Sequence, residues 1–162
     1  MMSQKKQTIN TPLRVLVDTS IIVDVDRGKQ DVIEFCKQLT STNSAYISTV
    51  SVSEILTGAY LRKDHKNAVK KAEKILGQFR WIALSGEVAK LVAEFSAYLI
   101  AKGQPIEYQD IAIAACFLLE NCDVLLTENK EHFNRLPNLK NKVLTLKEFN
   151  QKNKNTSPQQ QE

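Results

Sequence analysis

The chain has 162 residues, 43% apolar and 25% charged, with five Gly, four Pro and three Cys. That is the make-up of one soluble globular domain, long enough to bury a core without disulfide or metal staples. Cys36, Cys116 and Cys122 are odd in number and form no CxxC pair, which argues against a secreted disulfide framework and a zinc ribbon and fits a reducing cytoplasm. The net charge of +4 is uneven: Arg62 to Lys74 holds six cations and two anions, so a mildly acidic body carries one basic helix.

The first dozen residues are polar, with no apolar run behind a basic flank. Neither a signal peptide nor a membrane span is expected, and residues 1–12 read as a flexible segment. RVLV at 14–17 is a short β-branched apolar run and reads as a buried strand. Asp18, Thr19 and Ser20 then look like strand-end and cap residues before a helical turn that closes at Gly28. Gln30 to Leu39 has helical spacing, AYIST at 45–49 reads as a second strand, and a helix over about 50–60 carries Glu54. The basic stretch follows as a helix with Ala68, Val69, Ala72, Ile75 and Leu76 as its apolar stripe. FRWIAL at 79–84 reads as a third strand with Trp81 in the core. A long helix then starts at Ser85 and reaches Ala101, and a break at Lys102–Pro105 precedes a helix over about 107–119. DVLLT is a strand, ENKEHF a polar loop, KVLTL a short strand, and 147–149 a final helical turn. Residues 151–162 lack an apolar anchor and read as a disordered tail.

Strands that alternate with helices, each a short continuous apolar run, predict a parallel sheet covered on both faces, an α/β/α sandwich. Ligands of such sheets bind beyond the carboxyl ends of the strands. Asp18, Glu54, Asp110 and the segment 127–129 fall at strand ends or early helical turns, in settings that would be core but for the acids. Singly, each has an ordinary explanation: Asp18 as an N-cap, Glu54 on a surface stripe, Asp110 as a first-turn acid favoured by the helix dipole. Jointly, three carboxylates with no Arg or Lys close by in sequence would repel one another unless a divalent cation lay between them, and hard oxygen ligands suit Mg²⁺ or Mn²⁺.

LVDTSIIVD at 16–24, SVSEIL at 51–56, GQPIEYQDIAIAAC at 103–116 and LLTENKEHFNRLPNL at 125–139 together resemble the PIN-domain ribonucleases, in particular the VapC-like toxins of toxin–antitoxin modules. The resemblance runs from about Arg14 to Phe149 and implies a PIN-like nuclease domain over 13–150. It implies a central parallel sheet between helical layers, Mg²⁺- or Mn²⁺-dependent endoribonuclease activity, an RNA substrate, a small antitoxin partner, a homodimer and no membrane association. It carries over Asp18, Glu54 and Asp110 as acidic metal ligands with catalytic roles, and Ser20 and Thr127 as supporting polar residues. Asn129 stands where the family often has a fourth acid; its carbonyl oxygen can still serve, and His132 or Glu131 could assist through water, although His132 reads by default as a surface histidine and Glu107 as a solvated acid.

Lys66, Lys70 and Lys74 are candidates for RNA phosphate contacts, weighed against the plain reading of a solvated helix face. Ile21, Ile22 and Val25 could belong to the core or to a homodimer or antitoxin contact. Two other functions compete. A catalytically silent PIN-like module would bind RNA or protein without cutting. A metal-dependent phosphatase of the haloacid-dehalogenase type would need an acid two residues after Asp18, where Ser20 stands.

Overall fold

The computed structural model describes residues 12–156, with side chains to residue 153. The chain runs β1 (Arg14–Val17), α1 (Thr19–Asp26), α2 (Gln30–Thr42), β2 (Ser44–Ser48), α3 (Thr49–Tyr60), α4 (His65–Leu76), β3 (Arg80–Ile82), α5 (Gly86–Ala101), α6 (Tyr108–Leu119), β4 (Val124–Leu126), α7 (Lys130–Asn134), β5 (Val143–Leu144) and α8 (Leu146–Thr156). The strands make one parallel sheet in the order β3-β2-β1-β4-β5. β1 is central: Val17 pairs with Ile47 on one side and Leu126 on the other.

Pleating sends successive side chains of β1 to opposite layers. Val15 and Val17 pack with α1 to α4 and α8, and Leu16 packs with α5, α6 and α7. Both faces are covered, which is why the strands are apolar throughout rather than alternating. The expected sandwich is the architecture found. The chain runs outward from β1 through β2 to β3, then crosses back over the sheet to β4 on the other side of β1 and on to β5, and the carboxyl end of β1 lies at that change of direction.

Several expected elements change. Ile21, Ile22 and Val25 are buried core residues, which removes them from any partner surface: α1 is short and packs into the same core as Val15 and Val17 of β1 and helices α2 to α4. The third strand shrinks to three residues at a sheet edge, and Trp81 is 53% exposed instead of core. Its indole N–H donates to the Leu76 carbonyl at 3.0 Å, which holds the ring at the surface. The expected polar loop ENKEHF holds the first four residues of the five-residue helix α7, anchored by the wholly buried Phe133.

The tail also differs, because 151–156 continue α8. Thr145 and Glu148 form a reciprocal capping box: the Thr145 N–H donates to Glu148 Oε2 at 2.8 Å, and the Glu148 N–H donates to Thr145 Oγ1 at 3.3 Å. Phe149 then anchors the helix edge-to-face on Phe35, with ring centroids 5.7 Å apart. Residues 1–11 and 157–162, which hold nearly all of the expected flexible start and the rest of the tail, lie outside the described residues. Among the described residues no helix is long and apolar enough to cross a membrane.

Candidate metal centre

Asp18 follows directly on β1 and is 4% exposed. Its backbone N–H donates to the Leu126 carbonyl at 2.9 Å, so the β1–β4 ladder continues into the residue that also caps α1. The carboxylate accepts three hydrogen bonds: Thr19 N–H to Oδ1 at 2.7 Å, and the Ser20 and Thr127 hydroxyls to Oδ2 at 2.7 and 2.8 Å. The capping role and the site role coincide in one side chain. Ser20 also accepts from the Glu128 N–H at 3.1 Å, which ties the start of α1 to the end of β4.

Glu54 sits in the second turn of α3, whose N-cap is Ser48 at the end of β2. The Thr19 hydroxyl donates to Glu54 Oε2 at 2.6 Å. Burial pushes the Glu54 carboxyl above its ordinary range, the Thr19 bond pulls it back, and the charges of Asp18 and Asp110 push it up again. Asp110 lies in the first turn of α6. Burial likewise raises its carboxyl, the bond from His132 opposes this, and the Asp18 charge adds to the rise, with Glu107 contributing less from the exposed end of the same helix. Three acids spaced widely in sequence therefore feel one another's charge at one end of the sheet.

His132 is no idle surface residue. Its Nδ1 lies 2.6 Å from Asp110 Oδ2, and the Asn129 side-chain amide lies 2.8 Å from the same ring nitrogen. Asn129 thus meets His132 directly and Asp110 through it. Its backbone N–H donates to Thr127 Oγ1 at 2.9 Å. The ring owes its place to Phe133, the next residue of α7 and wholly buried. Phe133→Ala is expected to cost about 3–5 kcal/mol in denaturant unfolding, the range for a buried aromatic, and a value under about 1 kcal/mol would mean that α7 is not anchored there.

Among the described residues no Lys or Arg pairs with Asp18, Glu54 or Asp110; the one ion-pair partner is His132. Among the described residues nothing donates a hydrogen bond to Glu54 Oε1 or Asp110 Oδ1, although the other oxygen of each is engaged. No group of three His, Cys, Asp or Glu among the described residues forms a ready-made metal cage. The donor set fits a hard divalent cation: carboxylate oxygens only, two of them open, and an excess of negative charge that no Lys or Arg among the described residues offsets.

A cleft of about 220 Å³ opens beside this site, lined by Thr19 and Glu54 and by the apolar Val23, Ile55 and Ala59, with Arg62 on its rim. Arg62 and Lys71 both pair with Asp26 of α1, Lys71 at 3.3 Å, so two cations of the basic segment gather on an acid that lines the cleft. Lys66, Lys70 and Lys74 are exposed. Each lies two residues from the buried Ala68 or Ala72, about 200° around the helix, so they point away from the packed side of α4. The structure brings Asp18, Glu54, Asp110, Ser20, Thr127 and Asn129 together, adds Thr19 and His132, and leaves the three lysines apart. Thr19 was legible only as a cap, and His132 as a surface histidine by default that could assist through water.

A family model described as the PIN domain matches residues 15–139. A ribonuclease VapC from Rickettsia bellii is 28% identical over 137 residues, covering 83% of this chain and 98% of the relative. Among solved structures, VapBC2 from Rickettsia felis bound to a promoter DNA fragment is similar with a TM-score of 0.72 and 25% identity, over 81% of this chain and 97% of that one. DNA-bound VapBC from Salmonella typhimurium shares the fold with a TM-score of 0.73 and 21% identity, over 82% and 98% of the two chains.

Proposed function

The chain belongs to the PIN-domain family, and on that premise we propose that it is a divalent-metal-dependent endoribonuclease, the toxin of a toxin–antitoxin pair. The observation that carries the reading is the set of three carboxylates at the sheet's carboxyl edge, none offset by Lys or Arg. Asp18, Glu54 and Asp110 hold the metal, which is Mg²⁺ or Mn²⁺. When bound, such an ion activates water for attack on a phosphodiester and offsets the charge that develops on its oxygens.

The chain's own residues supply positioning. Three donors immobilise the Asp18 carboxylate. Thr19 holds one oxygen of Glu54 and leaves the other open toward the site, and His132 does the same for Asp110. Fixed charges of this kind cost no reorganisation when the reaction occurs. Hydrolysis breaks the P–O3′ bond, and the expected products carry a 5′-phosphate and a 3′-hydroxyl.

RNA is held mainly through its phosphates, and single-stranded or looped segments suit the site because their bases can splay out. Lys66, Lys70 and Lys74, on the solvent face of α4, contribute long-range attraction. Changing all three to Gln is expected to weaken RNA binding less than about tenfold at low salt and to flatten the salt dependence, measured by fluorescence anisotropy across a salt series. An unchanged salt slope would remove these lysines from the RNA surface.

The partner is a small antitoxin, for which the apolar cleft beside Glu54 offers a docking route. We place the pair in the cytoplasm, consistent with three buried free thiols, and the toxin as a homodimer. The deciding experiment incubates purified protein and RNA with Mg²⁺ or Mn²⁺, with EDTA, and with Asp18→Asn. Cleavage is expected only for the wild type with metal. Cleavage that survives both EDTA and the substitution overturns the metal-nuclease reading. Metal binding without cleavage favours a silent module, and hydrolysis of a small phosphoester alone favours a phosphatase.

A further inference from the structure

We infer that His132 is a positioning residue that fixes the Asp110 carboxylate, and that Asn129 holds His132 in turn. This rests on the proposal that Asp110 is a metal ligand. The problem these residues solve is electrostatic. Asp18 and Asp110 repel each other across the site, and without a restraint the Asp110 side chain would swing toward solvent.

The structure contains that restraint as an unbroken chain of contacts between the two acids. Thr127 Oγ1–H donates to Asp18 Oδ2 at 2.8 Å, and the Asn129 backbone N–H donates to the same hydroxyl oxygen at 2.9 Å. The Asn129 amide meets His132 Nδ1 at 2.8 Å, and Nδ1 meets Asp110 Oδ2 at 2.6 Å. One ring nitrogen cannot both accept from an amide N–H and donate to a carboxylate. The arrangement that satisfies all three groups puts the proton on Nδ1 and turns the amide so that Asn129 Oδ1 shares it with Asp110.

The anchor of this chain is rigid where it must be. Asn129 caps α7, and Phe133, wholly buried, pins the helix one residue beyond the imidazole. Asp110 Oδ2 is thereby engaged and Oδ1 is left open, so the carboxylate presents one defined oxygen. The Asn129 side chain thus acts on a neighbouring imidazole and through it on Asp110. Partners of this kind, one step removed from a metal, typically change its affinity tenfold to a hundredfold.

The test is calorimetric titration of Mn²⁺ into the full chain, with RNA cleavage measured in parallel. Compared are the wild type, Asp110→Asn, His132→Ala, His132→Asn and the double variant Asp110→Asn/His132→Ala. His132→Ala is expected to weaken Mn²⁺ binding about tenfold or more. His132→Asn, whose amide N–H stands where Nδ1–H stood, should recover most of the loss. In the Asp110→Asn background, His132→Ala should have no further effect, since the residue acts through Asp110. Should His132→Ala fail to fold, His132→Gln, which places its amide at the Nε2 position, replaces it with the same expected loss. Wild-type affinity in His132→Ala, no recovery in His132→Asn, or additive effects in the double variant would each overturn the inference while leaving the metal site standing. Wild-type affinity in Asp110→Asn would instead bring down the metal-site reading, and the inference with it.

Discussion

Asp18→Ala is expected to abolish RNA cleavage and to weaken the fold at once. The carboxylate is the meeting point of Thr19, Ser20 and Thr127. Its removal leaves the Thr127 hydroxyl, in a wholly buried residue, without its acceptor. It also strips the start of α1 of its cap. A buried donor left unpaired costs about 1–3 kcal/mol and a lost N-cap about 1 kcal/mol, so a total of roughly 2–4 kcal/mol should appear in urea unfolding. Cleavage should fall at least about 10²- to 10³-fold, the scale on which losing one fixed electrostatic group is felt in a reaction centre. Asp18→Asn separates the two effects: an amide can still accept from a rotated hydroxyl, so most of the stability returns while the charge does not. Wild-type cleavage by either variant would remove Asp18 from the reaction centre.

Glu54→Gln should have the same effect on activity and the opposite effect on stability. Burial raises the Glu54 carboxyl above its ordinary value, and the Asp18 and Asp110 charges add to this. A carboxyl whose folded-state pKa lies above the unfolded one binds its proton more firmly in the folded state. Metal-free stability therefore falls as pH rises from the ordinary carboxylate value through the raised one, and the cost persists at neutral pH. Gln removes that cost while its carbonyl oxygen still accepts from Thr19. The gain is at most about 1 kcal/mol, because solvent screens a half-exposed carboxylate, or about 2–4 °C in thermal melts of a chain this size. Divalent cation should stabilise the wild type by mass action and Glu54→Gln far less. Destabilisation of the metal-free protein by Glu54→Gln would show that Glu54 is held by its fold and not strained by its neighbours.

What the sequence made legible was the framework that continuous apolar runs can report. RVLV and DVLLT named the two strands whose ends carry Asp18 and Thr127, and the acids stood out because their neighbours were apolar. Convergence itself could only be inferred, since Asp18, Glu54 and Asp110 belong to three separate elements. The misses have separate causes. α7 is one turn and a half with a single buried residue, Phe133, too short for any periodicity to show, so His132 looked like a loop residue. α8 extends through Gln, Lys and Asn because its stability is set at its start, by Thr145, Glu148 and Phe149, and not along its length. Trp81 was misplaced because strand position within a sheet is not written in a strand's own residues, and an edge leaves one side uncovered.

The bond from Thr127 to Asp18 spans 109 residues, and strand β4, which delivers it, follows every element from β1 to α6. Such non-local pairings form late, after the cost of closing the intervening loop has been met. A chain made only as far as α5 holds Asp18 and Glu54 but not the candidate metal centre, because neither Asp110 nor the strand that delivers Thr127 yet exists. For a molecule that cuts RNA, this order of synthesis keeps the growing chain harmless to the message and the machine that are still producing it.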